Sequence, residues 1–418
     1  MLRPGLPRAV EGTRLWVLYL LRDIKNQLLT IAWMVFDTFL LILLPRFAPA
    51  DVLLICRMDA IGDYVLFRNY LEDIRRAPGY CRHKLVLVLN DQVKPFASEL
   101  DRGIVDEFIW IDAKRIATDP VRRFRTFHRI RAIRSGTVWN PVFSREYILG
   151  DAIVRASAAP RRSGCRTRPI LMPRWQCRAA DLIYNELIEN TPGVLFESSR
   201  NAETVARFLG LPHVDPKLKI GIDMLFPSPV KGPYCCLVPG AGGSRWLGGA
   251  KEWTVEGFAA AAHHLKDAWG LPCVILGTRS QKQLAASIAK HAGDPPWMLD
   301  LTGRTLPQEF IQIIGCARAV VSVDTSAVHI GAATGRPVVC ISSGKTIGRF
   351  TDYPAQEYPL IKHVYPEGLA VRIQRLGYAE VAERFRNSSP YSASEVDPAA
   401  VCAAIDMVMI RAEAQSDR

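Results

Sequence analysis

The sequence predicts an α/β fold made of two Rossmann-like, doubly wound domains. Three observations carry this reading. Short continuous apolar runs recur along the chain, as expected of strands buried on both faces of a parallel sheet. Segments with helical periodicity follow them, so strand and helix alternate. The alternation restarts after a Pro-rich stretch, Pro227-Ser-Pro-Val-Lys-Gly-Pro233, in a chain of 418 residues. At roughly 100–200 residues per domain, that length suits two or three domains.

The elements follow in order. Residues 15–44, LWVLYLLRDIKNQLLTIAWMVFDTFLLILL, end at Pro45. The stretch is too long for a secretory signal and has charges inside it. Leu28 to Leu44 is apolar apart from Asp37 and a few small or hydroxyl residues, and Asp37 would penalise a membrane span by roughly 2.5–3.5 kcal/mol. The first half is amphipathic, with Arg22, Asp23, Lys25, Asn26 and Gln27 among Leu and Trp. We read residues 1–50 as an amphipathic, membrane-associated extension of one or two helices, flanked by Arg3, Arg8, Arg14 and Arg46. Packing on the protein's own core and a true span are the competing readings.

Asp51–Cys56 is the first strand of a domain over 51–226, and a helix is expected from about Tyr64 to Arg76, before Pro78-Gly79. Strands follow at Lys84–Leu89 and Val105–Ile111. The segment 122–134, RRFRTFHRIRAIR, reads as a helix with Phe124, Phe127, Ile130 and Ile133 on a core face. Its other face carries basic charge toward solvent or membrane. Residues 155–179, rich in Arg, Pro and Cys, read as a long surface loop. Asn201–Leu209 looks helical.

A second domain is expected over 234–385, with strands at 234–238, 272–276, near 298–301, 319–323 and 338–341. Helices are expected at 255–269, 281–292, 307–316 and 327–334. Residues 386–418 read as a helical tail.

Composition narrows the function. Lys and Arg total 53 against 41 Asp and Glu, a net charge of +12, so anionic partners are expected. With 49% hydrophobic and 22% charged residues, a wholly disordered, collagen-like or coiled-coil chain is excluded. Ten cysteines form no C-x-x-C pair and no zinc-finger spacing. Cys56, Cys235, Cys236, Cys273 and Cys340 fall in the apolar runs and read as buried thiols of a reducing compartment. No nucleic-acid motif accompanies the charge, and the aromatics of 122–134 sit at core spacing, so no nucleic-acid partner is expected.

Three strand-to-helix turns carry the candidate chemistry. The first is Arg57-Met-Asp-Ala-Ile-Gly-Asp63. Asp63 stands near a helix start, where the dipole favours its ionised form and a carboxylate can act as a general base. An Asp there is also a common cap. The second turn runs from Val238 through Gly240 to Lys251 and Trp253, with five glycines and two cations. Exposed backbone amides and Lys251 suit phosphate. The turn matches neither the Walker A pattern nor G-x-G-x-x-G, and a plain surface loop has the same composition. The third is Val321-Ser-Val-Asp-Thr-Ser-Ala-Val-His329. Asp324, Thr325 and Ser326 sit where a strand ends and a helix opens, which favours an anion. His329, one turn on, reads equally as a ligand contact or as structure.

In this order the turns resemble glycosyltransferase family 9, the ADP-heptose heptosyltransferases. Leu53-Leu-Ile-Cys-Arg with Ile61-Gly-Asp63 is similar to the family's first strand and Gly-Asp turn. Pro239-Gly-Ala with Lys251-Glu-Trp253 is similar to its Pro-Gly and Lys-x-Trp segment. Asp324-Thr-Ser-Ala-Val-His329, Ala332-Ala-Thr-Gly-Arg-Pro337 and Arg349-Phe-Thr-Asp-Tyr-Pro354 complete a match over about 51–355. The resemblance implies a GT-B fold with an interdomain cleft, the acceptor in the first domain and the nucleotide sugar in the second.

It also implies roles. Asp63 matches the catalytic base, and Lys251 the cation on the donor phosphates. Thr325 and Ser326 match the diphosphate turn, Asp324 the residue near the donor sugar, and His329 the neighbouring helix position. Gly240 belongs to the donor loop. Transfer would invert the anomeric centre without a metal or cofactor. Two departures stand out: Ser326 replaces a frequent Gly, and Gln281 stands where a ribose-binding Glu is frequent.

The expected activity is transfer of a sugar, heptose from ADP-heptose, onto a membrane-associated glycan or glycolipid such as lipopolysaccharide core. The expected place is the cytoplasmic side of the inner membrane, on an anionic surface. A transferase with another nucleotide-sugar donor, and a catalytically idle membrane-bound scaffold, are the alternatives.

Overall fold

The computed structural model describes residues 13–169, 172–221, 230–240, 251–386 and 388–416, with side chains from residue 24 to 415. Backbone packing divides them into two units. The first holds the described residues up to Pro192 and Ser199–Pro216; the second holds Gly193–Ser198 and the described residues from Lys217 on.

The first unit is built on six parallel strands: β1 (Ala50–Arg57), β2 (Lys84–Asn90), β3 (Glu107–Ile111), β4 (Ser135–Asn140), β5 (Arg161–Cys165) and β6 (Glu186–Ile188). Their order is β3-β2-β1-β4-β5-β6. The central strands are apolar on both faces: Leu54 and Cys56 join a cluster with Val86, Val88, Phe127 and Ile153, while Leu53 and Ile55 join one with Phe67, Leu87 and Val205. This is why β1 and β2 read as unbroken hydrophobic runs rather than alternating ones.

The second unit repeats the topology. Strands β7 (Cys235–Val238), β8 (Cys273–Ile275), β9 (Met298–Asp300), β10 (Ala319–Val323), β11 (Val338–Ile341) and β12 (Ile361–Val364) lie in the order β12-β11-β10-β7-β8-β9. Read from its own first strand, each sheet runs 3-2-1-4-5-6. Chain order therefore reverses between β1 and β4, and again between β7 and β10. Such switch points open a crevice at the carboxyl ends of the strands.

The helices expected at 255–269 and 307–316 lie at Val255–Trp269 and Pro307–Cys316. The terminal helix Pro398–Ser416 places Val401, Ile405 and Val408 in the core of the second unit with Leu237, Ile275 and Val321. Thus residues 398–416 are part of the domain's packing.

Three expectations are corrected. The helix at 64–76 is broken into Ile61–Val65, a 3-10 turn Arg68–Tyr70, and Leu71–Arg76. The segment 155–179 is not one long loop: it holds β5 and the helix Arg174–Asp181. Its arginines hid the strand. Arg161 is paired with Glu186 on the neighbouring strand at 2.8 Å, and Arg162 donates to the Ile183 and Ala159 carbonyls, so a charged sequence can still enter the sheet. Gly164 is required there because a Cβ would stand 2.5 Å from the Tyr184 ring.

The third correction concerns the basic helix, which runs Pro120–Ala132. Phe127 and Ile130 face the core as expected, but Phe124 is partly exposed, and Arg123 and Arg131 are buried instead.

Arg123 explains the N-terminal segment. Residues Thr13–Leu43 form one helix of 31 residues, α1. Among the described side chains, Thr30, Trp33, Asp37 and Leu40 are its buried positions, and Leu44 just past its end continues the spacing of three and four, a single stripe laid on the body. Asp37 accepts two hydrogen bonds from Arg123, each 2.6 Å. The guanidinium also donates to the Ile116 and Ile148 carbonyls and lies 4.8 Å from the Trp33 ring. The charge that argued against a membrane span is buried here against an arginine, and α1 is docked on the first unit.

The strand cysteines Cys56, Cys235, Cys236, Cys273 and Cys340 are buried free thiols. Burial raises the pKa of each, that of Cys235 to about 12, so they serve as small core side chains.

Candidate active site

The second unit gathers most of the candidate residues at its switch point. Strand β10 ends at Val323, and Thr325 caps the helix Ser326–Ala333, its hydroxyl accepting from the Ala327 N–H at 3.2 Å. Thr325 has extended backbone, which turns the chain from strand into helix within two residues. Every residue from Ala327 to Ala333 is buried, so the helix is fixed by packing and its amino end is held at the sheet edge. Thr325 and Ser326 are half-buried at that end, where the helix dipole favours an anion.

Lys251 is brought to the same point. Its ammonium lies 2.7 Å from the Asp324 carboxylate and 3.3 Å from the Asp324 carbonyl oxygen. The Asp324 side chain is 8% exposed and that of Lys251 26%. The carboxylate thus anchors a partly exposed cation. The ten residues before Lys251 lie outside the described residues, and with them most of the Gly-rich turn.

Gly240 and Gln281 meet on the other side of β7. A Cβ on Gly240 would fall 1.8 Å from the Gln281 side-chain nitrogen, so only glycine leaves room for this amide. The Gln281 carbonyl oxygen accepts from the Thr278 N–H at 2.8 Å. With its oxygen engaged, the side chain turns its NH₂ toward Gly240. Gly240 follows β7 and Gln281 follows β8, so both stand at the carboxyl edge of the sheet.

His329 lies in the wall behind Asp324. It is 5% exposed and shares a hydrogen bond between Nδ1 and the Tyr353 hydroxyl. Burial lowers its pKa to about 4, with Asp324 opposing and Lys251 adding to the shift, so the ring is neutral at pH 7. His363 stacks on Tyr353 at 5.4 Å, and burial lowers its pKa to about 3. Of the two roles open to His329 in the sequence, this placement supports a neutral packing element that backs the anion turn.

Lys345 was not singled out by sequence. It sits in the loop after β11, and its pKa is lowered by burial and then by Lys251, with Asp324 opposing. It thus stands within electrostatic reach of the Lys251–Asp324 pair. The only sequence signal is its position in Ser342-Ser-Gly-Lys345, directly after a strand.

In the first unit, Asp63 stands in the short helix Ile61–Val65 after β1, half-buried, its carboxylate accepting from the Ala60 N–H at 3.4 Å. The bond is a capping contact at the start of that helix. Asp59, four residues earlier, accepts a paired interaction from buried Arg57 at 2.5 Å. Asp59, Asn140, Arg145 and Glu146 line a small pocket at the ends of β1 and β4. Burial, then Asp151 and Asp59, raise the Glu146 pKa. Among the described residues, no group of three or more His, Cys, Asp or Glu is gathered that could hold a metal ion.

The family model of glycosyltransferase family 9 (heptosyltransferase) matches residues 197–360, which contain Lys251, Asp324 and His329. Among solved structures, the fold is similar to Escherichia coli ADP-heptose LPS heptosyltransferase II, with TM-score 0.59 and 17% identity over 87% of this chain and 99% of that one. It is similar to a family 9 glycosyltransferase from Veillonella parvula, with TM-score 0.62 and 12% identity over 87% and 98%. It is also similar to E. coli heptosyltransferase WaaC solved with ADP-2-deoxy-2-fluoro heptose, with TM-score 0.57 and 17% identity over 76% and 93%. No curated protein matches the sequence. Two parallel sheets shared with these GT-B structures, and a family match that holds the charged turn, lead to one conclusion: residues 197–360 form a glycosyltransferase family 9 (heptosyltransferase) domain.

Proposed function

We propose that this protein transfers heptose from ADP-heptose to a hydroxyl of a glycan or glycolipid acceptor of the lipopolysaccharide-core kind, with inversion and without a metal ion. The observation that carries the reading is the Lys251–Asp324 pair set over the amino end of the helix Ser326–Ala333. A sugar diphosphate needs positive charge where its leaving oxygen gains negative charge. Lys251, Lys345 and the helix amides supply it from the protein itself.

Asp63 takes the proton of the acceptor hydroxyl as its oxygen attacks the anomeric carbon. The bond from that carbon to the diphosphate oxygen breaks, its electron pair leaves with the diphosphate, and one displacement inverts the centre. The known ligands of structural neighbours, ADP and an ADP-heptose analogue, support the donor class.

Gln281 favours one second reading. Its carbonyl is already engaged by Thr278, so it meets ribose hydroxyls with an amide donor instead of a carboxylate. A different nucleotide or sugar fits that change.

The test is a panel of ADP-, UDP- and GDP-sugars assayed for transfer to glycolipid extracts, with nucleotide binding measured by calorimetry. ADP-heptose turnover supports the first reading. Turnover with another donor alone supports the second, and no turnover with any donor supports an idle scaffold.

A further inference from the structure

Helix α1 carries apolar side chains on both its docked and its exposed side. Its docked stripe carries Asp37 and Thr30, while the opposite side, from Leu28 to Leu43, is exposed and almost wholly apolar. Phe39 is 64% exposed, Ile42 74% and Leu43 73%, with Leu28, Ile31 and Val35 above them. A helix whose only task was to cover the core would turn these side chains inward and Asp37 outward.

By length and composition, Ile24–Leu43 could cross a membrane. Its attachment argues otherwise: leaving the body would strip buried Arg123 of Asp37 and abandon a buried guanidinium. The helix has to meet its apolar surroundings from the side.

What those surroundings are is indicated by charge at the helix end. Arg46, Arg131 and Arg134 line a pocket of about 370 Å³ with Leu41, Phe47 and Pro49, and among the described residues no carboxylate lines it. Arg131 donates to the Pro45 and Ala156 carbonyls, and Arg134 to that of Ala48, which holds both guanidinium groups in place. Arg155 reaches Thr38, the one exposed polar side chain between Leu28 and Leu43, at 3.0 Å. At the other end the indole of Trp175, itself partly exposed, donates to Gln27 at 3.1 Å. An apolar stripe bordered by fixed cations and a half-exposed indole is what a bilayer surface with anionic headgroups complements.

We propose that α1 lies in the plane of an anionic phospholipid surface, its Leu28–Leu43 face among the acyl chains and the Arg46–Arg131–Arg134 pocket on a lipid phosphate. Residues 28–43 would lie along the surface over roughly 24 Å at 1.5 Å per residue, entering by roughly 5–10 Å.

The experiment is sedimentation of the full-length protein with phosphatidylcholine vesicles, with or without phosphatidylglycerol, followed by transfer to fresh vesicles. We expect at least tenfold stronger binding to the anionic vesicles and transfer within minutes. F39D and I42D, which change only exposed positions, should weaken binding at least tenfold at unchanged unfolding temperature. R46A should reduce the preference for anionic lipid while leaving residual binding.

Absence of vesicle binding overturns the proposal, as does binding that F39D and I42D leave unchanged. Bound protein that never transfers indicates a spanning helix and also overturns it. A dimer in lipid-free solution that F39D makes monomeric, without vesicle binding, identifies a second copy as the occupant instead.

Discussion

The ammonium of Lys251 is held 2.7 Å from the Asp324 carboxylate although the two residues lie 73 positions apart. One partner is almost buried and the other is partly exposed. The pair therefore fixes where the ammonium stands. Lys251→Met should weaken ADP binding at least tenfold, measured by calorimetry. Asp324→Asn should lower affinity less, since it removes the anchor and leaves the cation. Equal affinity in wild type and Lys251→Met would remove Lys251 from the phosphate role.

Asp63 is tested by a substitution that keeps its shape. Asp63→Asn retains an oxygen for the Ala60 N–H and removes the base. The turnover rate should fall by about 10²–10⁴, the usual contribution of general-base catalysis. Nucleotide affinity and unfolding temperature should stay as they are. A fall in donor affinity of the same size would assign Asp63 to binding.

Gly240 and Gln281 form a steric pair, so their variants should couple. Gly240→Ala places a methyl group where the Gln281 amide lies and should reduce donor affinity several-fold. Gln281→Ala should lower affinity modestly by itself. In the double variant the methyl group has room, and the cost of Gly240→Ala should largely vanish. Additive losses in that cycle would mean that the contact does not matter for the donor.

The buried histidines predict acid sensitivity with a definite sign. His363 and His329 have folded pKa values of about 3 and about 4, below the ordinary 6.5. The unfolded chain then binds more protons in between, so both contribute to a loss of stability as pH falls from about 6.5 toward 4. His363→Phe keeps the stacking on Tyr353 and removes one titration. Its unfolding temperature should drop less than that of wild type between pH 7 and pH 5. A parallel drop in both would refute this source of the sensitivity.

The Asp37–Arg123 pair is buried on both sides. Asp37→Leu alone strands the guanidinium and should cost about 3–5 kcal/mol. Asp37→Leu combined with Arg123→Met should restore most of that, as apolar replacements of buried ion pairs often do. Denaturant unfolding of the three variants measures the recovery.

The sequence by itself determined the fold class and the identity of the charged turns. Strands β1, β2, β10 and β11 are apolar on both faces, so their runs are continuous and local chemistry alone reveals them. The helix Pro307–Cys316 starts at a proline that suits its first turn, another local signal. Asp63, Gly240, Asp324, Thr325 and Ser326 could be placed at strand ends from the sequence because each comes soon after an apolar run, whereas their expected roles, and that of Lys251, rest on the family resemblance.

Tertiary structure decided the rest. Strand β5, Arg-Arg-Ser-Gly-Cys, has no hydrophobic signature, because its charges are met by Glu186 and by carbonyls distant in sequence. Lys345 joins the site only because β11 lies beside β10. Which side of α1 faces the body was likewise not readable locally: from Leu28 to Leu43 the sequence is apolar nearly all round, so hydrophobicity specifies no direction. Arg123, 86 residues away, supplies the one strong partner for Asp37, and burying that charge against it leaves the other apolar face outward.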